Sequence, residues 1–234
     1  MSPSASSSLP RALVSRAALR LGARTALAGG GSVVDLRADA WGHGVVEVAR
    51  IVLDSGASVV LVDEVDAAVL AELGLPATTD ARADVDSRVL FGLPGSNVDP
   101  AMRLTGTVLS IKPLDAGDGV SYGYLYRAAG PTRVALVTGG YAQGIVRSLG
   151  NSARVEIRGR LHPVVGRVAM DVCVVEIGEA DLDEGDLDEG DEVTYFGGAG
   201  PVGQQVADWA RITGLTPPEI VTAVGMHARR EHVE

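Results

Sequence analysis

The change of pattern between residues 94 and 102 constrains this 234-residue chain more than any other feature. Before it, apolar runs alternate with helical periodicity; after it, short apolar runs follow one another at the spacing of an all-β region. Val33–Arg37 reads as a strand, Val45–Ser55 as a helix, Ser58–Asp63 as a second strand, and Asp66–Leu73 as a second helix ending at Gly74 and Pro76. Strands separated by helices of this length form parallel βα units, whose strands expect cover on both faces. A third short run, Arg88–Leu93, offers one further strand. Ahead of these, a helix from Pro10 to Arg24 places Leu13, Val14, Ala17, Ala18 and Leu21 on one face and stops at Gly29-Gly30-Gly31. Beyond Met102 the expected strands are Leu104–Ile111, Tyr122–Arg127, Thr132–Val137, Arg154–Ile157, Arg160–Val165, Asp171–Ile177 and Glu192–Phe196. A final helix near 204–213 precedes Pro217-Pro218 and a charged tail. The expected fold is therefore α/β plus β, with residues 1–98 an incomplete βα region and residues 99–234 a β domain carrying a C-terminal helix.

Composition narrows the function. With 46% apolar residues the chain can bury a sizeable core, and 30 acidic against 20 basic residues argue against nucleic acid or an anionic membrane as partner. The one cysteine, Cys173, sits in an apolar run, so it makes no intramolecular disulfide and is expected in a core. No stretch is apolar enough to span a bilayer, and the Ser-rich start lacks the apolar region of a secretory signal; the expected compartment is the cytoplasm. His43, His162, His227 and His232 show no ligand spacing, so no metal is assigned. The tandem repeat Asp181–Gly185 and Asp186–Gly190 lacks the spacing of a calcium loop and reads as a lengthened, solvated hairpin.

Two stretches point to chemistry. Val33–Gly44 ends in a Gly-His-Gly turn before the helix at Val45, which is either an anion seat at a helix N-terminus or a strand-to-helix turn with a solvated histidine. In the β region, Ala116-Gly-Asp-Gly-Val-Ser-Tyr122-Gly, Gly140-Tyr141-Ala-Gln-Gly144 and Val165-Gly-Arg167-Val-Ala-Met170-Asp171 occur in that order. Their combination closely resembles the C-terminal β domain of alanine racemases, over roughly Met102–Gly197. The opening stretch, Val-Val-Asp-Leu-Arg-Ala-Asp-Ala-Trp-Gly-His-Gly, is similar to that family's first barrel motif, Val-Lys-Ala-Asp-Ala-Tyr-Gly-His-Gly.

The resemblance implies a TIM-barrel-like N-terminal portion, pyridoxal phosphate held as a Schiff base, and dimers that place the β domain of one subunit over the barrel of the other. It makes Tyr122 the proton-transfer tyrosine presented to the partner's site, and Met170 a backbone contact for the substrate carboxylate. Tyr141, Arg147, Arg167 and Asp171 would line the substrate channel, and Arg37, Trp41, Gly42 and His43 would lie at the cofactor. Racemisation takes a proton from one face of a planar carbanion and returns it to the other, so two groups must stand opposite each other.

Three departures qualify that implication. Arg37 stands where the lysine belongs and Trp41 where a phosphate-contacting tyrosine belongs; a guanidinium stays protonated and is a poor nucleophile toward an aldehyde. The only lysine is Lys112. Fewer than 100 residues precede the β region, whereas an eight-stranded α/β barrel takes about 250. Asp208-Trp209-Ala210 stands in place of the tyrosine-containing phosphate contact of the C-terminal helix. The expectation is a degenerate homologue with no covalently bound cofactor, which binds or assembles with a full-length racemase or with itself. The alternatives are an active pyridoxal-phosphate racemase using Lys112 or a non-covalently held cofactor, acting on a small amino acid to supply D-alanine for the cell wall, and a structural remnant. A short parallel sheet also exposes an edge and a face that need covering.

Overall fold

The computed structural model describes residues 9–121, 123–178 and 187–234. It opens with β1 (Arg11–Ser15), not with a helix at Pro10; helix α1 (Arg16–Leu27) begins where the Ser15 hydroxyl accepts a hydrogen bond from Ala18 N. Helical periodicity misreads this segment because Ala12, Leu13 and Val14 are buried between two strands of the distant C-terminal part.

The βα pattern then appears as expected in type, with shorter strands. It runs β2 (Val33–Asp35), α2 (Arg37–Trp41), α3 (Val45–Asp54), β3 (Val59–Leu61), α4 (Glu64–Glu72) and β4 (Ala77–Thr78). The three strands form a parallel sheet in the order β2-β3-β4. Helix α3 buries Val45, Val48, Ala49 and Val52, a helical stripe against the sheet. The run at Arg88–Leu93 is not a strand: α5 (Ser87–Leu90) occupies it, started by the Asp86 side chain, which accepts from Arg88 N. The third strand is β4, too short and polar to show in the pattern.

From β4 the chain returns past β3 to the free edge of β2 and seals it. Asp84 N and Val85 N donate to Val33 O at 3.1 and 3.3 Å. The Asp84 carboxylate accepts from Ser32 N and Val33 N, and Ser87 Oγ donates to Asp35 O. The edge expected to be open is thus covered by the same chain, which leaves the two-residue β4 as the outer strand.

The second half supplies β5 (Met102–Leu114), the hairpin β6 (Gly119–Val120) and β7 (Tyr126–Arg127), then β8 (Thr132–Thr138), β9 (Arg154–Ile157), β10 (Arg160–Val165), β11 (Val172–Glu176) and β12 (Glu192–Phe196). Strands β5, β8, β11, β10, β9 and β12 follow one another, and β12 pairs back onto β5, closing a barrel. Ala135, Val137, Val155, Ile157, Cys173, Val175 and Val193 fill its interior. Cys173 is buried there as expected, and its thiol is pushed up to about 12 by burial. Helix α6 (Gln205–Thr213) agrees with the expected final helix, but what reads as a charged tail is α7 (Pro217–His227) followed by β13 (Arg229–Val233). β13 lies parallel to β1, which in turn is antiparallel to β5, so the first strand of the chain belongs to the sheet of the second half. The first copy of the tandem repeat and Asp186 lie outside the described residues. Among the described residues no helix is long and apolar enough to cross a membrane.

Candidate functional site

Strand β2 delivers the chain to α2, a single turn of unusual hand: Ala38, Asp39, Ala40 and Trp41 have φ of 53°, 54°, 54° and 53°. Left-handed helix costs about 1–2 kcal/mol per L-residue, so four in succession must be held by their surroundings. Asp39 does most of this. Its carboxylate accepts from Val45 N at 2.7 Å and from Arg230 Nη1 at 2.6 Å, while Ala38 N donates to Asp63 at 2.7 Å. Gly42, at φ 77°, ends the turn against α7 at Gly225. Of the two readings of this turn, the anion seat is therefore already filled: the first N–H of α3 is taken by the Asp39 carboxylate.

Arg37 folds back on Asp35, with Nε 2.9 Å from Oδ1 and Nη2 2.6 Å from Oδ2. Desolvation acts to raise the Asp35 carboxyl, but the bonds and charge of Arg37 outweigh it and hold it below the usual range. The pair opens onto a cavity of ≈ 550 Å³ that also meets Trp41, Asp63 and, on α7, Glu219 and Thr222. Three carboxylates against one guanidinium, itself neutralised by Asp35, make a surface that repels phosphate. Neither His43 nor Gly42 lines this cavity. His43 is fully buried rather than solvated: its ring stacks on Phe91 at 4.2 Å, and Nδ1 donates to Ala40 O and Trp41 O. Burial pushes its pKa down to about 4.

The residues expected at the substrate channel fall into two groups. Tyr141 begins a 3₁₀ turn, with the Arg147 guanidinium 4.6 Å above its ring. Tyr141 N donates to Ala169 O and Ala142 N to Met170 O, so the carbonyl of Met170 is occupied while its side chain is exposed. Gln143 ties the turn to Asp171 at 3.0 Å. Tyr141, Arg147, Met170 and Asp171 thus form one cluster. Arg167 stands apart, beside Gly123 of the β6–β7 hairpin. Tyr122 lies outside the described residues; Ser121 and Gly123 flank it.

Helix α7 is the element the sequence pattern hides, and both halves rest on it: Gly225 against Gly42, and the backbone at Val224 against Gly144. Its start carries a legible signal, since Thr216-Pro-Pro-Glu219 is a capping box with proline at the first turn. Trp209 on α6, which stands in place of the family's phosphate-contacting segment, is buried edge-on to Phe196 at 5.2 Å and Tyr195 at 6.4 Å. Lys112 lines a separate groove that shares no residue with the Arg37 cavity, so the two cations do not converge. Among the described residues no three His, Cys, Asp or Glu side chains are grouped to hold a metal.

Residues 101–232 match the sequence profile of the alanine racemase C-terminal domain. The chain belongs to the alanine racemase family. An alanine racemase of Mycobacterium avium (strain 104) is 44% identical over 125 residues, which are 53% of this chain and 31% of that protein. One of Treponema pallidum subsp. pallidum is 38% identical over 136 residues, 57% of this chain and 35% of that protein. The chain matches only about a third of the length of these relatives. The alanine racemase structure from Streptomyces coelicolor A3(2) superposes with a TM-score of 0.80 at 20% identity, covering 97% of this chain and 99% of that one. That from Bartonella henselae with covalently bound pyridoxal phosphate gives 0.76 at 17%, covering 96% and 99%. At such identity the likeness to the solved racemases is one of fold.

Pyridoxal phosphate, the group the family implies, does not fit the residues present. The Arg37 cavity offers no amine for an imine, Asp35, Asp63 and Glu219 line it with carboxylates, and the first N–H of α3 is capped by Asp39.

Proposed function

We propose that the chain is a degenerate alanine racemase homologue with no racemase activity of its own, which associates with a full-length racemase and presents Tyr122 to that partner's site. The observation that carries the loss of independent activity is Arg37, paired with Asp35 in an acid-lined cavity at the position of the cofactor lysine. The β domain supports the retained part: Tyr141, Arg147, Met170 and Asp171 lie together, and Arg167 stands beside Gly123, the neighbour of Tyr122 in the chain. In this reading residues 1–98 are a TIM-barrel-like region reduced to its opening strands, the edge of β2 sealed by the 84–87 segment, and residues 99–234 are the β domain. The protein works in the cytoplasm beside the racemase it assists.

The reading in which Lys112 replaces the cofactor lysine is disfavoured by its separate groove. Pyridoxal phosphate added to the purified chain is expected to give no saturable absorbance near 400–430 nm, about the range of an internal aldimine, and no borohydride-fixed adduct. A racemase whose own proton-transfer tyrosine is changed to phenylalanine should recover activity when mixed with this chain, and Tyr122→Phe should abolish the recovery. Absence of a mixed complex in size-exclusion light scattering would sink the association.

A further inference from the structure

Alternate residues of β5 and β8 point out of the barrel: Ser110 pairs with Leu136, Lys112 with Val134, and Leu136 with Val174 on β11. The β6–β7 hairpin folds over this outer face, where Val120 joins Val134 and Val165 in a small apolar cluster of its own. Between hairpin and barrel remains a groove of ≈ 300 Å³. Its walls are aliphatic, and its polar side chains are Lys112, Ser110 and Ser121. Among the described residues none of these three makes a side-chain hydrogen bond or ion pair, whereas Arg11, Arg16, Arg37, Arg103 and Arg230 are each held by a carboxylate.

An apolar recess with a few convergent polar groups is the usual form of a small-molecule site. We infer that this groove binds a small monocarboxylate with an apolar tail, its carboxylate on the Lys112 ammonium and the two hydroxyls, its tail against Val120, Val134, Leu136 and Val174. One unpaired cation matches one negative charge, so phosphate esters and dicarboxylates are poorly served. A zwitterionic amino acid would bring its own ammonium beside Lys112 and is disfavoured. Water takes roughly 30 Å³ per molecule in the liquid, so the groove holds a ligand of about ten heavy atoms. The inference does not depend on the racemase reading.

Lys112 is the only lysine, which makes the test direct. Reductive ¹³C-methylation of the full chain keeps the charge and leaves one lysine signal beside the N-terminus. Titration with 3-phenylpropionate is expected to shift the lysine signal saturably, with Kd about 1 mM or tighter. The amide of that acid, acetate and phenylalanine should give no saturable shift over the same range. By calorimetry on unmethylated protein, K112Q should weaken the acid at least tenfold, and as a change at an exposed side chain it should leave the melting temperature unmoved. Equal shifts with acetate would reduce the site to a bare ion pair, and unchanged binding by K112Q would reduce it to an apolar surface. Either result, or no shift at all, overturns the inference.

Discussion

Single residues decide what this member of the family can do. Arg37→Lys places an amine in the acid-lined cavity, yet Asp35, Asp63 and Glu219 still line it and Asp39 still caps α3. The variant is expected to show neither alanine racemisation nor a saturable cofactor spectrum; measurable turnover would show that the site survives better than its charges imply. Asp39→Ala removes two charge-assisted bonds from a left-handed turn and should cost about 2 kcal/mol in urea unfolding. His43 gives a pH dependence with a definite sign. Its folded pKa of about 4 lies below the ordinary 6.5, so the unfolded chain binds the extra proton first. Its contribution is complete above pH 6.5 and is lost as pH falls toward 4, by about 3 kcal/mol; His43→Phe should flatten that part of the stability profile. Arg37 was legible as a candidate in the sequence because it sits inside a motif. The burial of His43 was not, because Phe91, which covers it, lies far along the chain and contributes no local signal.

Elements were legible where the pattern is local and strong. Helix α3 and strands β8 to β12 appear within a residue or two of their expected ends, since each carries its own apolar stripe or alternation. β1 was hidden because its partners, β5 and β13, are supplied from the far side of the chain. β4 was hidden because two polar-flanked residues make no pattern. Helix α7 carries its capping box in the sequence, but Pro217-Pro218 also serves as a stop signal for the preceding helix. Its close packing gives a prediction that propensity alone would reverse. Alanine for glycine inside a helix ordinarily stabilises by about 1 kcal/mol. A Cβ at Gly225 would stand 2.1 Å from Gly42 O, so Gly225→Ala should instead destabilise by about 1–3 kcal/mol, read from the unfolding midpoint. Asp84→Ala should speed amide hydrogen exchange at Ser32 and Val33, whose N–H groups the carboxylate holds against the edge of β2.

At the scale of the whole molecule, the closed barrel is complete and the parallel sheet is minimal, and the two meet through α7 and through β1. The family fold of the second half was readable because three motifs carried it together. The self-sealing of the first half was not, since it depends on a polar segment bending back to pair with β2. The parallel pairing of β1 with β13 joins residues roughly 200 positions apart, Arg11 with Arg229 and Ser15 with Val233. Closing so long a loop is slow, and β1 cannot acquire this neighbour until the 218 residues that follow Arg11 have been made. During that interval Ala12 and Val14 have only β5 to shield them, and before β5 emerges they have nothing. Refolding followed by stopped-flow fluorescence of Trp41 and Trp209 should therefore be slow, on the order of seconds, with protection of the β1 amides arriving last. The same ribbon that binds the two halves into one body makes the newborn chain dependent on time, and so on whatever in the cell keeps a half-made sheet from finding the wrong edge.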